Sequence, residues 1–216
     1  MRLLHYVIGL LYPRKCPFCT KIIDEKLLYC SSCAKKLPYI PNQLQPRNFK
    51  YVDEAYSVFY YKDEVRDSIL RYKFSALSAY SQVYGQFLRK CIDENGISCD
   101  IISWVPLSRR RLRHRGYDQT KLLAKECADY FGEECKALLF KVRHNKAQSG
   151  LSDANARKSN VKNAYVFKSD TDISSKTVLL LDDVVTTGST VSECAKMLKQ
   201  AGAARVIVLS VAAVFQ

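Results

Sequence analysis

The chain is short of acid: across 216 residues, 21 Asp and Glu stand against 34 Lys and Arg, a formal charge of +13. It is equally short of the residues that mark fibrous or unfolded chains. Only eight Gly and six Pro occur, and 48% of residues are hydrophobic, which excludes collagen-like, low-complexity and disordered classes. Long apolar runs are missing. Leu3–Tyr12 is broken by His5, and Val206–Phe215 falls short of the roughly 18 residues of a membrane-spanning helix. The opening Met1-Arg2-Leu3-Leu4 has no small-residue cleavage site before Pro13-Arg14-Lys15-Cys16, so it is expected to be retained and the chain cytoplasmic. No internal repeat is visible, and no Ser–His–Asp or Cys–His arrangement is suggested. His114 and His144 sit in basic segments, where a lone loop histidine is usually a surface residue. A chain of this length buries about 70% of its extended surface and needs no cross-links to hold a core.

The basic excess is blocked. Residues 1–50 hold nine Lys and Arg against two acids, residues 105–115 five against none, and residues 141–162 six against one. Charge alone leaves two readings open, a polyanion contact or a solvated basic face.

Four of the nine cysteines are organised as Cys16-Pro-Phe-Cys19 and Cys30-Ser-Ser-Cys33. Two intervening residues let both thiolates of a knuckle face one ion, and two knuckles supply the S4 tetrahedron that Zn²⁺ prefers. A disulfide pair or a redox pair is the alternative. A reducing compartment disfavours the first, and no strand–helix context supports the second. The expected site is therefore structural zinc on Cys16, Cys19, Cys30 and Cys33. Cys91, Cys99, Cys127, Cys135 and Cys194 lie in helical or strand patterns and read as buried thiols.

Leu3, Leu4, Val7, Ile8 and Leu11 recur at helical spacing before the knuckles. Pro38, Pro41 and Pro46 then mark a stiff connector, which sets a boundary between a small module (1–46) and a larger domain (47–216). Beyond it the pattern alternates. Strands are predicted over Ala55–Tyr61, Asp100–Val105, Ala164–Phe167, Val178–Leu181 and Arg205–Val211. Helices are predicted over Val65–Phe74, Ser78–Ile92, Gln119–Phe131 and Thr190–Ala201. Continuous apolar strands alternating with helices give an α/β fold with a parallel sheet flanked by helices. Ligands of such sheets bind at the carboxyl ends of the strands.

Such an end is written in Val178-Leu-Leu-Leu-Asp-Asp-Val-Val-Thr-Thr-Gly-Ser-Thr190. Amides at a helix N-terminus, helped by hydroxyls, cradle an anion, and Gly188 allows close backbone approach. Two acids beside a phosphate would repel it unless they face sugar hydroxyls, so a 5-phosphorylated ribose fits. An N-capped helix after a buried strand is the bland alternative. The segment resembles the phosphoribosyl-pyrophosphate signature of the type I phosphoribosyltransferases. That resemblance implies Asp182 and Asp183 on the ribose hydroxyls, Thr186, Thr187, Gly188, Ser189 and Thr190 on the 5′-phosphate, and Mg²⁺ on the pyrophosphate. Purine-salvage members of that class carry an acid at the position of Thr186, and its absence argues against base activation by that route. The same fold places its pyrophosphate loop at Ser108, Arg109, Arg110 and Arg111, where guanidinium forks match phosphate oxygens.

Arg113-His114-Arg115-Gly116-Tyr117-Asp118-Gln119 together with the four-cysteine head narrows the resemblance to the ComF family, with Tyr117 for the usual Phe and Asp118 for the usual Asn. Arg143, Gln148 and Arg157 match that family's further motif and fall where a flexible loop closes over substrate, an ordinary solvated loop being the alternative. The resemblance implies a protein of DNA uptake and natural transformation that binds phosphoribosyl pyrophosphate. Single-stranded DNA would lie on Lys15, Lys21, Lys35, Lys36, Arg113 and Arg115, with other DNA-uptake or recombination proteins as partners. Tyr29, Tyr39, Phe49 and Tyr51 offer stacking faces for single strands, or else pack between module and domain. Residues 51–75, with Tyr56, Tyr60, Tyr61 and Tyr72, stand as part of a base-binding hood or as packing. The second functional class is a turning-over phosphoribosyltransferase in which a base or amine displaces pyrophosphate.

Overall fold

The computed structural model describes residues 13–44, 48–75, 77–142 and 163–214. The predicted helix at 3–11 and the flexible-loop residues Arg143, Gln148 and Arg157 lie outside the described residues, as does His144. In chain order the elements are α1 (Ser31–Lys36), β1 (Glu54–Tyr60), α2 (Asp63–Phe74), α3 (Tyr80–Glu94), β2 (Ile101–Trp104), α4 (Arg109–Arg115), α5 (Gln119–Phe131), β3 (Leu139–Lys141), β4 (Tyr165–Phe167), β5 (Thr177–Val185), α6 (Ser189–Gln200) and β6 (Arg205–Ala213).

The main sheet runs β1-β6-β5-β2 with every neighbour parallel, and β3 and β4 form a small antiparallel ribbon. Its central strands are buried on both faces, so their side chains divide by the two-residue period of a strand. Val178, Leu180, Val206 and Val208 share a core with Val191, Cys194 and Leu198 of α6. Leu179, Leu181, Ile207 and Leu209 share the opposite core with α3 and α5.

The predicted strand ended at Leu181; β5 continues to Val185. Small residues of β6 allow this, since Asp182, Val184 and Val185 pair with Ser210, Ala212 and Ala213. The arginine segment also differs from expectation. Arg109–Arg111 form the first turn of a helix, because the Ser108 hydroxyl accepts the Arg111 amide as an N-cap and arginine is a good helix former. Helices α1 and α4 and strand β3 were not anticipated; six, seven and three residues are too few to show a period.

The cysteine module is keyed into the larger domain. Phe18 is 2% exposed and lies edge-on to Phe59, Tyr84 and Phe87 at 6.1–6.4 Å. Arg71 of α2 donates to the carbonyls of Pro17 and Phe18 at 2.8 and 2.9 Å. Beyond Pro38 the connector runs antiparallel along β1: the Ile40 amide donates to Val58 O at 2.9 Å, and Tyr39 and Leu44 bridge Phe59 and Tyr56. It thereby covers an edge that would otherwise present unpaired amides. Tyr29 and Tyr39 stack in this junction, and Phe49 is buried. Of the four aromatics that offered stacking faces, Tyr51 alone is more than half exposed. Residues 51–75 supply β1 and α2 of the main domain, with Tyr56 and Tyr72 buried.

Candidate functional site

Asp182 and Asp183 sit within β5, at 8% and 6% exposure, and leave the strand on opposite faces. Asp182 feels Lys73 and, less strongly, Lys141, and it influences Tyr165 and Cys194, on the α6 side. Asp183 meets Lys73 of α2, whose Nζ is 2.7 Å from Oδ1, and the Gln119 amide, whose Nε2 donates to Oδ2 at 2.8 Å. The Asp183 amide also donates to Asp182 Oδ1 at 2.8 Å. Burial raises Asp182, the neighbouring Asp183 charge adds to it, and the carboxyl is held well above the ordinary carboxylate range. At Asp183 burial is outweighed by Lys73, by the Gln119 hydrogen bond and by Arg115, so its carboxyl stays below the usual value. One acid of the pair is thus proton-seeking and the other firmly ionised.

The sequence motif around residues 115–119 now has a physical reading, residue by residue. Arg115 is half-buried, packs over the Phe74 ring at 4.9 Å, and acts on Asp183. Gly116 takes φ 77° to end α4. The Tyr117 hydroxyl donates to the Tyr72 carbonyl, pinning this turn beside Lys73. Asp118 caps α5 by accepting the Thr120 and Lys121 amides, a task that Asn and Asp perform equally well. Gln119, 1% exposed, holds Asp183 with its amide nitrogen, while its Oε1 is buried without a hydrogen-bond partner among the described residues. No local sequence signal marks Lys73 or Lys141 as partners of the carboxylates, since only the tertiary fold brings α2, β3 and α5 to β5; Gln119 lies in the Arg-Gly-Tyr-Asp-Gln motif.

The turn after β5 enters α6 through Gly188, which has φ 74° and gives the helix no side-chain cap. The Phe49 ring closes over it, so that a Cβ there would lie 2.1 Å from Phe49 Cδ1. Thr187 and Ser189 exchange a hydroxyl hydrogen bond of 2.9 Å, and Thr186, Thr187, Ser189 and Thr190 are partly exposed. Of the anticipated pyrophosphate-loop residues, Ser108 is buried as the cap, Arg109 and Arg110 are exposed, and Arg111 is half-buried and acts on Lys141. Burial and Arg111 pull the Lys141 pKa down. Of the residues assigned to DNA, Lys15, Lys21, Lys35, Lys36 and Arg113 are exposed, whereas Arg115 is turned toward Asp183.

In the cysteine module, the Sγ atoms of Cys16, Cys19, Cys30 and Cys33 all lie within 4.8 Å of one another, with Cys19 and Cys30 at 3.7 Å. A tetrahedral ion with Zn–S bonds of about 2.3 Å requires sulfur–sulfur edges of about 3.8 Å, so the four thiols fit zinc. The Cys30 and Cys33 amides point at Cys16 and Cys30 sulfur, supporting thiolate charge.

These features are matched by known proteins. Residues 121–214 match the phosphoribosyl transferase domain and residues 7–46 the double zinc ribbon domain. The fold is therefore a phosphoribosyltransferase-type α/β domain behind a zinc ribbon that carries structural zinc. Competence protein F of Haemophilus influenzae is 28% identical over 196 residues, covering 87% of this chain and 85% of that one. Competence protein ComFC of Streptococcus pneumoniae is 30% identical over 147 residues, 68% of this chain and 62% of that one. The DNA utilization protein YhgH of Salmonella typhi is 41% identical over 108 residues, where the chain spans 46% of its relative. The chain belongs to the ComF family. Among solved structures, an allosteric regulatory enzyme of purine biosynthesis aligns with TM-score 0.43 and 21% identity over 62% of this chain and 25% of that one. The glutamine phosphoribosylpyrophosphate amidotransferase of B. subtilis aligns with TM-score 0.40 and 21% identity over 63% and 26%.

Proposed function

We propose that this protein binds phosphoribosyl pyrophosphate on the β5–α6 turn and acts on incoming DNA in uptake or utilization, in the cytoplasm. The observation that carries the ligand reading is the composition of the β5 end. A buried carboxylate pair, a half-buried Arg115 and Lys73, and an uncapped helix start converge there. Such a site rejects a simple anion on one side and a simple cation on the other, and suits a sugar with phosphates at both ends. Ribose hydroxyls donate to Asp182 and Asp183, and Gln119 Oε1, without a partner among the described residues, is a further acceptor beside them. The 5-phosphate takes the amides and hydroxyls of Thr186, Thr187, Gly188, Ser189 and Thr190. Arg115, Lys141 and Arg111 offer charge to the pyrophosphate. Mg²⁺ arriving with that pyrophosphate would supply further charge neutralisation, with Asp182, free of a direct ion pair among the described residues, as its available carboxylate. Phosphoribosyl pyrophosphate with Mg²⁺ should raise the melting temperature, and Asp182→Asn/Asp183→Asn should abolish the rise. No rise in the wild type refutes the reading.

Exposed Lys15, Lys21, Lys35 and Lys36 on the zinc ribbon, together with Arg113, form the DNA-contacting surface in this reading. Lys21 and Lys36 flank a cavity of about 190 Å³ beside the cysteines. Affinity for a labelled oligothymidylate should fall with salt at a log–log slope of about −0.7 per phosphate contacted. Lys21→Glu/Lys36→Glu should weaken it; salt-independent or unaltered binding refutes this surface. A turning-over enzyme is favoured by one observation, the cations gathered where pyrophosphate would depart. Release of pyrophosphate in the presence of a base or amine is its test.

A further inference from the structure

A cavity of about 970 Å³ opens between α4, α5 and the β3–β4 ribbon, and Lys141, which also acts on Asp182, lines one side of it. Its floor is apolar, built by Trp104, Leu107, Leu122 and Leu139. Leu112, Phe140, Val142 and Val166 on its walls are 36–58% exposed. Isolated exposed apolar residues are normal; four lining one groove are a contiguous patch of the kind that marks an interaction surface. The rim is cationic. Arg109, Lys121, Lys125 and Lys168 are exposed around it, and among the described residues none is paired with a carboxylate. The one acid on the lining, Asp118, is occupied in capping α5.

We infer that this groove is a docking site for an acidic amphipathic helix of a partner protein, with the helix's apolar stripe on the leucine floor and its carboxylates on the lysine rim. Leucine and valine make up more of the lining than aromatic rings do, which favours an aliphatic stripe over stacked bases. Trp104 is only 8% exposed and is covered by Lys121, 5.6 Å from its ring centre. Charge sets aside the chain's own unassigned segments as occupants. The 143–162 stretch carries five basic residues and one acid, and residues 1–12 contain no acid. Both share the sign of the rim. Lys121 and Lys125, one turn apart on α5, match carboxylates spaced i and i+4 on a helix, the geometry by which helix-in-groove partners are read.

Trp104 is the single tryptophan of the chain, so the groove reports its own occupancy. The probe is a synthetic helical peptide of about 18 residues with leucine at i, i+3, i+4 and i+7 positions and glutamate elsewhere. A scrambled peptide of identical composition is the control. The full-length zinc-loaded protein should show a Trp104 emission shift and an anisotropy increase with the patterned peptide, at least tenfold tighter than with the scramble. Lys121→Glu/Lys125→Glu, and separately the exposed pair Leu112→Glu/Val166→Glu, should each weaken binding tenfold or more. Both variants should keep the wild-type melting temperature and its response to phosphoribosyl pyrophosphate, so this inference and the ligand reading fail separately. Equal affinity for the scramble overturns the proposal. So does a groove variant that loses oligothymidylate while peptide binding is unchanged, which would make this a nucleic-acid surface. A concentration-dependent dimer that Leu112→Glu/Val166→Glu dissolves, with no peptide affinity, overturns it in favour of a second copy.

Discussion

Lys73→Met isolates the interaction that organises the carboxylate site. The substitution keeps the side chain's length and removes the ammonium 2.7 Å from Asp183, a pair whose side chains are only 16% and 9% exposed. Removing one partner of a buried pair leaves an uncompensated charge and costs about 3–5 kcal/mol. The Gln119 amide still donates to Asp183, so the lower end, about 3 kcal/mol, is expected. For a chain of this size that corresponds to a fall in melting temperature of roughly 6–12 °C. The sign of the pH dependence follows from the carboxyl. In the wild type Asp183 is held below its ordinary value, so its contribution is present at neutral pH and is lost only as pH falls through that lowered value. In Lys73→Met burial is no longer opposed by the ammonium, the pKa rises, and the variant's acid gains a proton at a higher pH than the wild type's. The deficit between the proteins should therefore shrink as pH falls from neutrality toward the acid side. Asp183→Asn placed on top of Lys73→Met should recover most of the loss, because a neutral amide needs no counter-ion. Thermal unfolding of the four proteins across pH, in zinc-containing buffer, completes the cycle. A deficit that is constant with pH, or a double variant no more stable than Lys73→Met, would refute the reasoning.

Asp182→Asn should behave in the opposite sense: the raised carboxyl loses stability as pH climbs from about 4 through its elevated pKa, so the variant's advantage in melting temperature should grow from pH 4.5 to pH 8. A pH-independent difference between the two would count against that assignment. Gly188→Ala combines a left-handed backbone with a methyl pressed into the Phe49 ring, and should cost about 1–3 kcal/mol and abolish the thermal response to phosphoribosyl pyrophosphate; an unchanged response on calorimetry would show the turn to be tolerant. Chelation of zinc should lower the melting temperature of the whole chain in one cooperative transition, because Phe18 of the module is buried in the domain core. Two separated transitions in calorimetry would contradict that coupling. Asp118→Asn keeps one oxygen for the α5 cap but turns an NH2 toward the Leu107 amide that Oδ2 now accepts, so it should cost about 1 kcal/mol, and Asp118→Ala, which loses the cap as well, up to about 2 kcal/mol, read by chemical denaturation.

The chain order of strands and helices, the zinc knuckles and the Asp-Asp-to-Gly188 turn are all local patterns, and each is legible in a run of adjacent residues. Spacing alone aims two thiolates at one ion, an unbroken apolar run marks a doubly covered strand, and a glycine before a hydroxyl-rich helix start makes an anion cradle. What spacing does not carry is the company each group keeps. Nothing in Arg71-Tyr72-Lys73-Phe74 marks Lys73 as the partner of Asp183, since 110 positions separate them and the hydrogen bond of Tyr72 to Gln119, with that of Tyr117 to Tyr72, brings them together. Arg115 read as one more cation in a basic stripe until the turn at Gly116 swung it toward the carboxylates. Tyr29, Tyr39, Phe49 and Tyr51 read from the sequence as stacking faces or as packing between module and domain, and three of the four are taken up in joining the module to the sheet and roofing Gly188. The sequence determined which chemical groups the protein possesses and the local turns that present them. The tertiary structure decided which acid is ionised, which cations face it, and where an apolar groove is left open, because desolvation and long-range pairing exist only once distant segments have been packed together.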